Sequence, residues 1–467
     1  MKYPARYCLF FTITTLLLPL NICAAVVLDR LGDLPGATFN SIAEDVSGDG
    51  SIVVGRSAAS RYGFTTLTEA FYWTPSGGMV PMGDLDFSDK VNSYANGIDE
   101  AGEIIVGGAE RLLMSESMYS AFWWVSPGPM DVFGAPDPVE PSAANGISPD
   151  GICVAGHYME PVDPLNPTPG DHVARVVMWE YETPIFPELT VMDTVYPYGM
   201  AYAISNSFGP DNSRTMVGMI AGEDRWSLPA YWTKVGNTLY PKIIFYSLGD
   251  AFGVSEDGQR IVGSYERFSN QLGFYVDVSD GALDVHYLDY PDYGAFMFSA
   301  SARDITRDKM IIVGQSTTSN MEVSAEAVIW EWYLKDGETE PKYHARTLNE
   351  YAIAHGVSLD GFVMTDARAI TPNGDYIVGV GMNSEYQMEA FRLSTHRAEG
   401  GGSNPLTYLG SEVDEHGIAQ TSTLGLINVN NAPNIYAYDL GKYIWCAEET
   451  ITEQGSWFFL YDREDSD

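Results

Sequence analysis

The chain has 467 residues, 63 of them acidic against 25 basic, giving a formal net charge of −38 at pH 7. A field this acidic excludes nucleic-acid phosphate as a partner and opposes anionic membrane surfaces. With 45% hydrophobic residues the chain is too apolar for an acidic disordered protein, so a folded core is expected.

Lys2 and Arg6, the apolar stretch Tyr7 to Leu20, and the small residues Cys23-Ala24-Ala25 form the three-part layout of a secretory signal peptide. Residues 1–25 are read as that signal and residues 26–467 as the mature chain. A lipid anchor on Cys23 is the rival reading, which Ile22 fits poorly. No later segment is apolar and long enough to span a bilayer. Two cysteines remain, Cys153 and Cys446; they are read as buried thiols, with a disulfide left open by an oxidising compartment.

From Leu31 onward the chain repeats one phrase: Leu-Gly-Asp-Leu, then Ser-x-Asp-Gly, then a β-branched run ending in Val-Gly, then Ala-aromatic-x-Trp. The first copy is Leu31 to Leu34, Ser47 to Gly50, Ile52 to Gly55 and Ala70 to Trp73. The glycine recurs at Gly55, Gly107, Gly156, Gly218, Gly263, Gly314 and Gly379, and a worn copy runs from Asp439 to Ala447. Segments recurring at such a period are supersecondary units that must stack to bury their apolar faces.

Within a unit, turns such as Asp49-Gly50, Asp150-Gly151 and Asp257-Gly258 supply the positive φ of a tight hairpin. Runs such as Ile52-Val53-Val54 and Ile311-Ile312-Val313 are too short for helices and read as buried inner strands. The Trp phrase is the next strand, and a second turn, Pro75 to Gly78, leads to another. Four strands at a period near fifty residues predict an all-β β-propeller of four-stranded blades. Eight blades are expected, with seven blades plus a C-terminal extension as the alternative. Residues 394–405 are then a possible linker and 406–467 a degenerate last blade. Because Leu31 to Leu34 precedes the first Asp-Gly turn, Val26 to Leu34 is expected to complete the sheet of the C-terminal unit and so close the ring.

The sequence assigns no catalytic, cofactor-binding or metal-ligating residue. The seven histidines, His157, His172, His286, His344, His355, His396 and His416, are scattered singly. The recurring Ser and Asp of the Ser-x-Asp-Gly turn read as a staple for the backbone. Calcium is the one ion considered, through Asp84 with Asp86, Asp289 with Asp292, and Asp360 with Asp366, although none has the spacing of a calcium loop. Tyr158, Tyr293, Tyr196 and Tyr198 are read as loop aromatics able to stack on sugar rings.

These phrases resemble those of the bacterial extracellular HAF-repeat proteins, whose repeat reads Leu-Gly-x-Leu, Ala-x-x-Ile-Ser-x-Asp-Gly, Val-Val-Gly, Ala-Phe-x-Trp. The stretch from Leu348-Asn-Glu to Leu393, with Ala369 to Gly374, Ile377 to Gly379 and Glu389 to Phe391, looks like the usual final repeat of that family. The resemblance covers Leu28 to Leu393. It implies export and a propeller-like fold, and brings no catalytic residues. The end Arg463 to Asp467 has neither a Pro-Glu-Pro sorting tail nor an autotransporter barrel, which some relatives carry.

Three functions follow as expectations. The first is a secreted, monomeric, non-enzymatic propeller that binds a polysaccharide or a cell-surface protein. The second is a polysaccharide hydrolase or lyase using carboxylates in the central funnel, and the third a structural envelope or matrix component. The location expected is extracellular, with periplasmic or outer-membrane-attached alternatives.

Overall fold

The computed structural model describes residues 26–395 apart from short stretches, chiefly 86–91, 134–140, 162–171, 181–187, 192–197, 207–212, 222–226, 292–296, 319–324 and 334–340. Beyond 395 it describes only short strands between 407 and 461. The regular elements of the described residues are all strands but one, the helix Leu348–Ala354. Seven antiparallel four-stranded meanders follow one another: sheet I (41–81), II (93–132), III (142–191), IV (198–243), V (249–287), VI (297–347) and VII (363–394). Sheets V and VI are joined by a single parallel pair, Gln271 with Ser299. Sheet VII takes its fourth strand from the start of the chain, Leu28–Gly32, which pairs with Met388–Ser394.

That pairing corrects one expectation. The N-terminal strand does complete a sheet begun by a later unit, but the unit is the seventh, not residues 406–467. The contacts that select it are specific. Arg392 of sheet VII pairs with Asp29 (Nη2 to Oδ2, 2.7 Å) and donates to the carbonyl of Gly50 in sheet I. Its guanidinium lies 4.8 Å from the ring centres of both Trp73 and Tyr376. One buried side chain thus ties the N-terminal strand, sheet VII and sheet I together. Among the described residues, Ile418–Thr421 to Phe459–Tyr461 form a separate five-stranded sheet.

The core lies between the sheets. Each neighbouring pair shares its own apolar cluster, and the pair formed by VII and I is as well built as the others. The second strand of each sheet is sandwiched between two neighbours. Val53 packs toward sheet VII and Val54 toward sheet II, which is why this strand reads as an unbroken apolar run. The Trp of the repeat packs on the preceding sheet, as Trp124 does on sheet I and Trp179 on sheet II. The expected staple is present too: Ser47 Oγ donates to Asp49 Oδ1 at 2.8 Å and accepts from the amide of Ile52 at 3.0 Å. Sheets III and V repeat this geometry at Ser148 and Ser255.

The β-branched runs are not the innermost strands. That place belongs to the first strand of each sheet, and its shape explains the repeated glycine. In all seven sheets an alanine of the first strand faces the Val-Gly glycine of the second, from Ala43 opposite Gly55 to Ala367 opposite Gly379. The register then skips one residue, a β-bulge. The bulge presses the preceding carbonyl onto the glycine, where a Cβ would lie only 2.0–2.2 Å from that oxygen. No side chain fits there, so the bulge and the glycine require each other.

The helix was not foreseen. Thr347 caps it, its Oγ1 accepting from the amide of Glu350 at 3.2 Å, and Leu348, Tyr351 and Ala352 enter the cluster between sheets VI and VII.

Gly314→Ala should destabilise the protein by at least about 2 kcal/mol in urea denaturation, because the methyl meets the Ser301 carbonyl. Gly273→Ala, with its methyl at ordinary contact distances of 3.4–3.6 Å, should change stability by less than about 1 kcal/mol.

Candidate functional site: the axial channel

The seven first strands surround a channel enclosing about 190 Å³, lined by residues from every sheet, room for on the order of ten water molecules. The bulged residues lie at equivalent places around it: Glu44, Asn96, Asn145, Tyr202, Phe252, Arg303 and Arg368. Four residues further on, the turns supply Gly48, Glu100, Pro149, Asn206, Glu256, Arg307 and Pro372. The alanine before each bulge is fully buried in every sheet. Bulge and turn positions therefore vary while the alanine and glycine between sheets do not.

Around the bulge level the side chains engage one another. The Nδ2 groups of Asn96 and Asn145 donate to the carbonyls of Ala144 and Ala201 in the next sheets, at 2.8 and 2.7 Å. Tyr202 and Phe252 stack with centroids 5.8 Å apart, and the Arg303 guanidinium lies 4.5 Å from the Phe252 ring centre. Asp366 sits between Arg303 Nε (3.6 Å) and Arg368 Nε (3.2 Å), while Arg368 and Arg56 both pair with Glu44. Aromatic, guanidinium and carboxylate groups thus form an arc over sheets IV to I, facing the amides of sheets II and III.

Two carboxyls stand immediately after bulges. Asp45 accepts the amides of Val46 (2.8 Å) and of Ile98 in the next sheet (2.9 Å), and Asp304 does the same with Ile305 (2.8 Å) and Ile370 (2.9 Å). Burial pushes Asp45 up to about 7 and Asp304 to about 6; the amide bonds oppose the shift in both, and the charge of Asp304 adds to it at Asp45. The other five sheets carry Gly or Ala at this place.

At the turn level Arg307 crosses the channel. It makes a two-pronged pair with Glu100 of sheet II (Nη2 to Oε1 2.7 Å and Oε2 2.8 Å) and also pairs with Glu256 of sheet V. Asn206 Nδ2 donates to Glu256 Oε1 at 2.8 Å. Gly48 leaves the space that Glu100 occupies: a Cβ there would lie 2.3 Å from Glu100 Cγ.

The residues singled out in the sequence fare differently. Tyr158 is not in a loop; it lies in the strand Cys153–Pro161, buried in the cluster between sheets II and III with Trp179. Tyr198 begins a strand and is half-buried, while Tyr196 and Tyr293 fall outside the described residues. Of the calcium candidates, Asp84, Asp86 and Asp292 are also outside them. Asp289 lies 3.8 Å from Lys342 Nζ, Asp360 accepts from Ser358 in an exposed turn, and Asp366 is held by arginines. Among the described residues no group of three or more His, Cys, Asp or Glu is placed to hold a metal. His157 contacts Asn145 at 3.2 Å, and burial lowers its pKa to about 4, keeping the ring neutral. Cys153 is a buried free thiol pushed up to about 12 by burial; Cys446 is outside the described residues. Sequence reading missed the bulge and turn residues, although aligning the copies on Ala-x-x-Ile/Val would have exposed them as variable points in a constant phrase.

Consecutive four-stranded meanders around a polar axis define a β-propeller. No family model and no curated protein matches the chain. Similar solved structures include the Dos1 propeller (TM-score 0.43, 10% identity, 79% of this chain and 95% of that one). Another is the β-propeller domain of the Trilobed protease from Pyrococcus furiosus (0.41, 10%, 79% and 95%). A third is prolyl oligopeptidase B from Galerina marginata (0.41, 8%, 73% and 46%), of which this chain spans less than half.

The raised carboxyls set a pH dependence. In the unfolded chain an aspartate titrates near 3.8, so the folded protein takes up these protons first and gains stability as pH falls through 7 and 6. The gain is complete near pH 4 and amounts to at most about 1.4 kcal/mol per pH unit for each carboxyl. In chemical denaturation at several pH values, Asp45→Asn and Asp304→Asn should each flatten this slope relative to the parent.

Proposed function

We propose that the chain is a secreted, non-enzymatic β-propeller of the HAF-repeat kind that binds a polysaccharide at the cell surface or in the extracellular matrix, with the axial channel as the binding site. One observation carries this reading. In a repeat whose buried alanine and facing glycine are constant, the bulge and turn positions differ from sheet to sheet, and all of them but Asn206 line the channel. Selection for folding alone repeats a residue; a ligand with unlike sides asks for unlike residues. The amide, aromatic, carboxylate and guanidinium groups there are those that bind hydroxyls and sugar-ring faces. Any calcium dependence belongs to the test rather than to the reading.

The purified mature chain, residues 26–467, should retain one or more members of a panel of bacterial and algal polysaccharides, with and without calcium, and release no products. Retention of none would refute the reading and turn attention to a protein partner. A second reading, a hydrolase or lyase, is favoured by the near-neutral carboxyls Asp45 and Asp304 in the channel, since a general acid needs such a pKa. Products that vanish with Asp45→Asn or Asp304→Asn would establish it.

We further infer seven blades closed by the N-terminal strand, with 406–467 as an extension. The Leu28–Gly32 pairing and the Arg392 contacts support this. Deleting 406–467 should then move the melting temperature by no more than about 2 °C, while deleting 26–34 should lower it by about 10 °C or more. The reverse result would restore the eight-blade count.

A further inference from the structure

We infer that the channel seats an uncharged, hydroxyl-rich sugar unit, so that the glycan bound is a neutral one and neither an acidic nor an amino polysaccharide. This deepens the binding reading above and rests on it.

Charge excludes the acidic glycans. Among the described residues the lining carries three guanidiniums, of Arg303, Arg307 and Arg368, and each already faces a carboxylate. Arg303 and Arg368 share Asp366, Arg368 also pairs with Glu44, and Arg307 is held by Glu100 and Glu256. Against these three stand five lining carboxyls, Glu44, Asp45, Glu100, Glu256 and Asp304. With Asp45 and Asp304 protonated the balance is level, and with both ionised it is negative by two. In neither state is there positive charge to spare. A uronate, sulfate or phosphate group entering here would shed its hydration without meeting an unmatched cation. The net charge of −38 opposes it at longer range as well.

Hydrogen bonding decides between the ligands that remain. Four buried side-chain atoms along the arc of sheets VI, VII and I have no hydrogen-bond partner among the described residues. Arg303 Nε and Arg368 Nε only donate, while Asp366 Oδ1 and Glu44 Oε1, as carboxylate oxygens, only accept. Their neighbours meet them as ion pairs off the line of a hydrogen bond: Asp366 Oδ1 at 3.6 Å from Arg303 Nε, Asp366 Oδ2 at 3.2 Å from Arg368 Nε, and Glu44 Oε1 at 2.8 Å from Arg56 Nη1. Ser301, 3% exposed, holds in sheet VI the place that Asp366 holds in sheet VII, one residue before the buried alanine, and its hydroxyl likewise has no partner among the described residues. Buried polar atoms are ordinarily bonded, so a cluster of unbonded ones marks a place where something else completes the set. An anionic group only accepts and an ammonium only donates. A sugar hydroxyl does both, and adjacent hydroxyls of one ring can serve a guanidinium and a carboxylate at once.

Dividing the polysaccharide panel by charge tests this, with dextran, laminarin and galactomannan as uncharged members, alginate, polygalacturonate and carrageenan as acidic ones, and chitosan as the amino one. The mature chain should retain an uncharged member, with an affinity that changes less than about twofold between low and high salt, because no charges pair across the contact. Retention of an acidic or amino member as strong as that of any uncharged one overturns this inference and leaves the binding reading intact; retention of none defeats both. Asp366→Asn, which removes an acceptor and leaves the guanidiniums of Arg303 and Arg368 less matched, should weaken the retained glycan by about tenfold or more. Unchanged retention by that variant overturns the assignment to this arc. A second measurement needs neither the glycan nor that variant. One thiol is placed in the channel by Asn96→Cys, with Cys153→Ser and Cys446→Ser removing the others, and its modification by 2-hydroxyethyl and by 2-sulfonatoethyl methanethiosulfonate is timed, each relative to mercaptoethanol. The sulfonate should lag the uncharged reagent by about tenfold or more. Equal relative rates overturn the inference, and so does failure of both reagents, since a channel closed to the small uncharged one admits no sugar.

Discussion

Seven glycines, each pressed by a carbonyl where its side chain would be, set the form of this protein. The contact permits the bulge, and the bulge turns one residue of each first strand toward the axis while the alanine beside it stays buried between sheets. Without the bulge, strict alternation would send every side chain of the first strand into one neighbouring sheet or the other. The glycine therefore acts at a distance from itself: it is placed on the second strand, and its effect is felt in the channel. Because the contact recurs in all seven sheets, it produces a ring of outwardly similar backbones carrying dissimilar groups.

The scarce basic residues are spent on joining sheets. Arg260 of sheet V pairs with Asp277, reaches the Tyr343 hydroxyl of sheet VI at 3.1 Å, and lies among the rings of Tyr275, Trp332 and Tyr343. Arg214, almost wholly buried, links sheet IV to Asp150 in the turn of sheet III. Arg392 does the same between VII and I. A planar guanidinium serves here because it bonds within its plane and stacks across it, so one side chain meets both the carboxylate of one sheet and the aromatic face of another. Breaking such a pair leaves a buried charge unmatched, which penalises any misplacement of neighbouring sheets more than apolar contact alone would.

Much of this organisation is legible in the sequence. The Asp-Gly turns, the staple made by Ser47 and Asp49, and the interlocking tryptophans follow from local chemistry that repeats. The N-terminal strand is also legible as the stray fourth strand of a later sheet, but not the identity of that sheet, because the worn phrase at 439–447 resembles a unit while the contacts of Arg392 exist only in three dimensions. The axis-lining strand was misplaced for a related reason: an apolar run signals burial, and burial is greatest between two sheets, not beside a polar channel. Glu44 or Arg303 looks like any surface residue until the one-residue slip beside it is known. The helix at Leu348–Ala354 is too short to show a period and lies within a phrase otherwise matched to strands.

The strand Leu28–Gly32 is made first and finds its partner, Met388–Ser394, more than 350 residues later. During synthesis it must wait as an unpaired edge, the kind of element that invites association with other chains. Its five residues, with Asp29 and Arg30 among them, make it a short and charged edge. The pairing is a long-range one, so a chain truncated before the strand Met388–Ser394 leaves both ends of the sheet order exposed at once.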